Sequence, residues 1–395
     1  MHLSHMEGIQ DQRRGAGDYP GNEYRSVCLV QHGDRHTELL GFFLAYFPDA
    51  RIDLVHRDSS QYTYIGYFER SLGLRFRRVL PEYDRRAHYD LVVLLSSDEA
   101  PMFRITVRKR VRRLLEGIGL EQLATRISIG MKERRQRRVD AQTATHELPL
   151  IGEPKKRPYR TPLFKNTRQT IALCHLAPRV TNECPNIALS PLLHALPWLL
   201  PVFDGLPTTN VDERRATICS MGLLEERYYQ IIPTLARAMP HVELRLFVRT
   251  SHPECMALFA GIPNIVVVTG ESTDTMMRYL TTSRFLLILD HAESRYRKDR
   301  LSGALPFGFN LGVPMVMSRQ LAALNDIRGG VLTYDDIPDD DLVARMASMT
   351  PDAYRALVDD TLAERTRLAR VAAQRFTGFL RTALSRSRDD NRETD

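Results

Sequence analysis

The chain has 395 residues, of which 43% are hydrophobic and 26% charged, a balance that excludes a fibrous repeat and wholesale disorder. Single hydrophobic cores stop growing near roughly 250–300 residues, so two domains are expected. A net charge of +7 and a pI near 9.2 suit an anionic partner without choosing among nucleic acid, an acidic membrane surface and a phosphorylated small molecule.

Residues 1–23 are polar and Gly-rich, lack the apolar core of a secretory signal, and are expected to form a disordered leader. From there the sequence alternates short apolar runs with helical patterns, the mark of βαβ units on a parallel sheet. Arg25 to Val30 is a predicted strand, followed by a polar loop and a helix carrying Leu39, Leu40, Phe43, Leu44 and Phe47. Arg51 to His56 and Leu74 to Leu80 are predicted strands flanking a helix over Tyr62 to Leu72, and Tyr89 to Leu95 is the clearest strand of this half. Two basic tracts follow, 104–113 and 132–138, then a proline-rich excursion over 152–162 and a return to the sheet at Thr170 to Leu176. The one long apolar run, 187–203, carries His194 and three prolines, so no transmembrane segment is predicted.

The polar stretch 206–215 is the expected linker between an N-terminal domain (24–205) and a C-terminal one (216–384), with 385–395 as a charged, disordered tail. The second half restarts the same grammar. Strands are predicted at Ala216 to Ser220, Val242 to Val248, Ile265 to Thr269, Phe285 to Asp290 and Val313 to Met317, with helices between them and a nearly continuous helix from Leu342 to Leu380. Five cysteines, Cys28, Cys174, Cys184, Cys219 and Cys255, form neither an even disulfide framework nor paired metal ligands, which points to a reducing, cytoplasmic setting.

The most informative segment is Arg297 to Met317, RKDRLSGALPFGFNLGVPMVM: a polar loop after a buried strand, a Ser-Gly step opening a helix, and Gly-Val-Pro turning into the next strand. The free N–H groups at such a helix start suit a diphosphate, and Gly303 adds no side chain to obstruct it. Arg297, Lys298 and Arg300 add positive charge nearby. On these residues, and on the strand, Gly-containing loop and helix that precede them, residues 216–380 resemble the C-terminal half of GT-B glycosyltransferases. The N-terminal half resembles that family in architecture alone.

The resemblance implies an α/β fold of two Rossmann-like domains facing across a cleft, with a long C-terminal helix. It implies transfer of a sugar from a nucleotide-diphosphate sugar to an acceptor hydroxyl on a glycan, lipid or protein, with no cofactor and no metal. Carried over residue by residue, Gly222, Arg249, Glu271, Ser272, Lys298, Ser302 and Gly303 are the expected donor-binding positions. One departure stands out. Many retaining members carry two glutamates eight positions apart here, and this chain has Asp299 and Phe307 instead.

Open α/β sheets keep their sites at the carboxyl ends of their strands. There the loop after the first strand supplies Asp34, His36 and Glu38 as candidate general bases toward an acceptor hydroxyl. Asp98, Glu99 and His175 follow later strands of the same half. Each of these residues is also an ordinary helix cap or a solvated loop residue. No H-E-x-x-H, cysteine cluster or G-x-S-x-G is present, which removes support for zinc chemistry and serine hydrolysis. Three other readings stay open at this point: a nucleic-acid or anionic-membrane binder working through the two basic tracts, a sugar-nucleotide epimerase of the same fold, and a non-catalytic member. Within the transferase reading the basic tracts also allow peripheral contact with an anionic membrane.

Overall fold

A computed structural model describes residues 23–31, 38–56, 62–80, 83–84, 86–95, 167–174, 193–197, 200–222, 229–248, 253–290 and 302–392. The basic tracts, the proline-rich excursion and residues 1–22 of the leader lie outside these residues.

The first sheet is built from β1 (Ser26–Gln31), β2 (Arg51–His56), β3 (Arg78–Leu80), β4 (Tyr89–Leu94), β5 (Thr167–Cys174) and β6 (Leu193–Pro197). All of its pairings are parallel and the strand order is β3-β2-β1-β4-β5-β6. Helices α1 (Glu38–Tyr46) and α2 (Tyr62–Leu72) follow β1 and β2. The central strands β1 and β4 are buried on both faces over Val27–Val30 and Leu91–Leu94, which explains those apolar runs. The predicted strand at Leu74 to Leu80 shortens to three residues at the sheet edge. On the opposite edge β6 was not anticipated, because the strand is short and ends in Pro197, a residue an edge tolerates.

The second sheet repeats the plan. It comprises β7 (Thr217–Gly222), β8 (Glu243–Val248), β9 (Ile265–Thr269), β10 (Phe285–Ile288), β11 (Met315–Ser318) and β12 (Val331–Tyr334), ordered β12-β11-β10-β7-β8-β9 and again parallel throughout. Counted from its own first strand, that order is the mirror listing of the first sheet, so both are Rossmann-like. The helices are α3 (Ile232–Ala238), α4 (Pro253–Phe259), α5 (Thr273–Thr282), α6 (Ala304–Asn310), α7 (Arg319–Leu324), α8 (Asp340–Ala347) and α9 (Pro351–Arg392). The closing helix predicted as nearly continuous is split at residues 348–350. There Pro351 takes the first position of α9 and Thr350 Oγ1 accepts the Ala353 N–H at 3.2 Å.

One apolar cluster runs through both lobes. It joins Val27, Leu29, Ile52 and Leu54 of the first sheet to Leu286, Met315 and Met317 of the second, with Phe68, Phe203, Phe307 and Phe376 among its aromatics. Helix α2 packs on α5, Phe68 stacks on Phe307 at 6.5 Å, and Phe203 meets Phe68 edge-on at 6.2 Å. Buried Asn310 accepts the Phe203 N–H at 2.9 Å and donates to the Pro201 carbonyl at 3.2 Å. The Arg70–Asp274 pair at 2.6 Å also bridges the lobes, but both side chains are mostly exposed, so it contributes little. Helix α9 begins on the second lobe and ends on the first, where Phe376 meets Phe42, Phe43, Tyr46 and Phe47 of α1 and the residue after it. Two Rossmann-like lobes joined by a returning C-terminal helix make the GT-B architecture.

Beneath the outer face of the first sheet, Asp53 is fully buried. It accepts hydrogen bonds from Arg77 (2.7 and 2.5 Å), Arg78 (2.6 Å to Nη2) and the Tyr89 hydroxyl (2.7 Å). Burial alone would raise its pKa, yet these donors hold it down at about 2. Burial likewise pushes the neighbouring Cys28 thiol up, marking it as an inert core residue. A carboxylate with a depressed folded-state pKa contributes stability that is complete above its unfolded value near ~4 and is lost as pH falls toward ~2. Wild type is therefore expected to lose about 2 kcal/mol more unfolding free energy between pH 5 and pH 2 than Asp53→Asn does. Urea unfolding followed by circular dichroism checks this, and equal losses would refute it.

Candidate functional site

The carboxyl edges of the two sheets face each other, and the chain reaches them in a fixed order. In the first lobe β1 ends at Gln31, and β2 ends, level with it in register, at His56. The first residue of α1 is Glu38. All three are polar and all are buried, at 0%, 1% and 2% exposure. Open α/β sheets bind their ligands at this end, beside the strand where the order reverses.

In the second lobe the crevice lies between β7, ending at Gly222, and β10, which runs on through Leu289 to Asp290. The Asp290 carboxylate is buried and accepts from Ser318 Oγ at 2.9 Å and Tyr334 Oη at 2.5 Å, while its own N–H donates to Tyr334 Oη at 2.8 Å. Ser318 also caps α7 by accepting the Leu321 N–H at 3.2 Å. The ends of β10, β11 and β12 are thus tied into one rigid rim, and the sequence reading had treated Asp290 only as the end of an apolar strand. An acidic residue closing such a run, with a serine and a tyrosine closing the next two strands, is the signal that was available.

The lobes meet at Glu38 and Gly303. A β-carbon placed on Gly303 would lie 3.3 Å from Glu38 Oε1 and 3.4 Å from Oε2. Gly303 is the N-cap of α6 with ordinary helical backbone and no side-chain cap, and Ser302 beside it is buried. Two residues singled out from opposite halves of the sequence, one as a candidate base and one as a donor contact, are therefore neighbours in space.

The remaining candidates fall variously. Gly222 closes β7 at the crevice. Glu271 and Ser272 are exposed after the edge strand β9, where Ser272 Oγ caps α5 by accepting the Thr275 N–H at 3.2 Å and Glu271 Oε1 accepts the Ser272 N–H at 3.1 Å. Asp34, His36, Asp98, Glu99, His175, Arg249, Arg297, Lys298 and Arg300 lie outside the described residues. Phe307, at the position of the second family glutamate, is buried and packed against Phe68 and Tyr64, so an aromatic contact between the lobes takes the place of a carboxylate. Gly312 of the Gly-Val-Pro turn has φ +64°, and a side chain there would meet Leu362 of α9 at 2.7 Å.

Among the described residues no group of three His, Cys, Asp or Glu side chains is placed to hold a metal ion. Among them, too, no helix is long and apolar enough to cross a membrane. No protein-family model matches the sequence, and no curated protein sequence matches it. Solved structures similar to the chain include Anabaena HepE in complex with UDP and glucose, at 10% identity and a TM-score of 0.48, covering 90% of this chain and 99% of that one. A DNA-modifying β-glucosyltransferase is similar at 7% identity and a TM-score of 0.48, covering 91% and 99%. The E. coli heptosyltransferase WaaC with ADP is similar at 10% identity and a TM-score of 0.37, covering 86% and 98%.

Proposed function

We propose that the chain is a glycosyltransferase that moves a sugar from a nucleoside-diphosphate sugar, held by the second lobe, to a hydroxyl of a glycan, lipid or protein held by the first. The observation that carries this reading is the meeting of Glu38 with Gly303: the carboxyl edges of two Rossmann-like sheets close on one another, one bringing a buried carboxylate and the other a side-chain-free helix start. As the glycosidic bond breaks, charge grows on the leaving diphosphate. Backbone N–H groups and the basic residues between β10 and α6 stabilise that charge without a resident metal ion. Glu38 belongs on the sugar side of the phosphates, where its oxygens hydrogen-bond sugar hydroxyls.

A thermal-shift series with UDP, GDP, ADP, CDP and dTDP tests the donor site. A nucleotide at one hundred times its Kd is expected to raise stability by about 2.7 kcal/mol. Gly303→Leu should abolish that rise; because its side chain must also push buried Glu38 aside, the free variant is expected to melt lower, and the test reads the nucleotide-dependent rise above that new baseline. A rise of the same size in the variant would remove Gly303 from the donor site, and no rise with any nucleotide would sink the transferase reading.

A further inference from the structure

Among the described residues the two sheets have four edge strands, and three of them are guarded against further pairing. β3 carries Arg78, whose guanidinium is bound to Asp53 at 2.6 Å; β6 ends in Pro197; and in β12 the Thr333 carbonyl already accepts from Arg345 Nη2 at 2.9 Å. The fourth edge, β9, reads IVVVT over Ile265–Thr269, with no charge, proline or glycine. Its open hydrogen-bonding groups follow from its pairing with β8. The Leu244 N–H donates to the Asn264 carbonyl at 2.8 Å, and in a parallel ladder alternate residues turn both backbone groups to the same neighbour. Val266 and Val268 therefore bond to β8, while Ile265, Val267 and Thr269 point their backbone groups away from the sheet. Of these outward groups the Ile265 N–H is already used, on the Ile262 carbonyl at 3.2 Å.

We propose that β9 is the contact through which two copies of the chain form a two-fold dimer, their sheets joining edge to edge and antiparallel about Val267. In that register Val267 exchanges both of its bonds with the second copy's Val267, and each Thr269 N–H donates to the other copy's Ile265 carbonyl. The spent Ile265 N–H does no harm, since the carbonyl opposite it is that of Thr269, exposed at the strand's end. A foreign strand running on past this point would have the equivalent carbonyl covered without a donor, so the edge fits its own copy better than another chain. Charge selects the same arrangement. Antiparallel pairing sets the two copies of exposed Glu271 at opposite ends of the ladder, whereas parallel pairing would set them side by side. The axis also brings α4 of one copy alongside α4 of the other, because Phe259 of α4 lies in the cluster against which Ile265 and Val267 pack, on one face of the sheet. Met256 and Leu258 of α4 are 41% and 39% exposed, two of the three large apolar side chains left exposed among the described residues, so α4 supplies apolar area beyond the strand itself. Reversal of the strands across the axis turns the carboxyl edges of the two copies in opposite directions, which keeps the two crevices apart.

The proposal is independent of the transferase reading and is tested on the full chain. Sedimentation of the wild type should show a mass of twice 45.3 kDa in concentrated solution, falling toward 45.3 kDa on dilution. Thr269→Pro removes an outward N–H, and with it two of the four bonds between copies, so the dissociation constant should rise about thirtyfold or more while the circular dichroism spectrum stays that of the wild type. Hydrogen exchange of the wild type, read by mass spectrometry, decides the matter should the variant not fold. The Val267 and Thr269 amides should exchange about tenfold more slowly in the concentrated protein than in the diluted one, with no such change in β3. A mass of 45.3 kDa at every concentration would overturn the proposal. So would a dimer that folded Thr269→Pro leaves intact, or exchange in β9 that is indifferent to dilution.

Discussion

Phe376→Ala is expected to destabilise the protein by about 4 kcal/mol, the range for emptying a fully packed aromatic site. Phe376 is fully buried and packs edge-on against four rings of the first lobe, with centroids 5.3 Å from Phe43 and 4.9 Å from Tyr46. Truncation leaves those rings facing a void that α1 cannot collapse to fill, since Tyr46 is also held through its hydroxyl to Thr377 at 2.6 Å. The damage should be local before it is global. Hydrogen exchange should quicken first in β1 and α1, although α1 ends at Tyr46 and the second lobe begins only at Thr217. Arg375→Ala, one position away and exposed, should stay within about 0.5 kcal/mol of wild type. Equal stability of the two variants would show that the helix end does not brace the first lobe.

Gly330→Ala should be as severe, through backbone rather than side chain. Its φ is +72°, which a side chain strains, and an added β-carbon would stand 2.4 Å from Thr361 Cα and 2.7 Å from its nitrogen. Neither atom can swing aside, because Thr361 lies inside α9 and its hydroxyl donates to the Leu357 and Gly330 carbonyls at 2.7 and 3.0 Å. The helix must lift off the turn that enters β12. A loss of about 3–5 kcal/mol is expected, read as a fall of roughly 10 °C in melting temperature; a fall under 2 °C would mean that the helix and the turn are not in contact in solution.

The central strands were legible because burial on both faces demands apolar runs, which Val27–Val30 of β1, Leu91–Leu94 of β4 and Phe285–Ile288 of β10 supply; β7 departs from the rule with buried Thr217 and Ser220. Edge strands were legible unevenly: β9 lies where it was predicted, but β3 is shorter than the run that announced it and β6 was not anticipated, since both are short and only half the constraint acts on them. The split between α8 and α9 hid for a different reason: Pro351 sits where a helix accepts proline, so the break left no breaker inside a periodic run. At the site, residue type and position relative to a predicted strand were enough to single out Glu38, Ser302 and Gly303. They were not enough to join them, because the contact depends on how two lobes pack. His56 and Asp290 escaped because each closes an apolar strand and reads there as its last residue. Only register and the neighbouring strand reveal that one faces a carbonyl and the other receives two hydroxyls.

The helix that returns to the first lobe sets the order in which the molecule can be completed. Phe42 and Phe43 leave the ribosome roughly 330 residues before Phe376 is made, and domains otherwise settle in the order of synthesis. Here the earlier lobe waits, with its aromatic socket open, for α9. A nascent chain stalled before residue 376 carries that socket exposed, a binding site for a chaperone on the way to becoming a core.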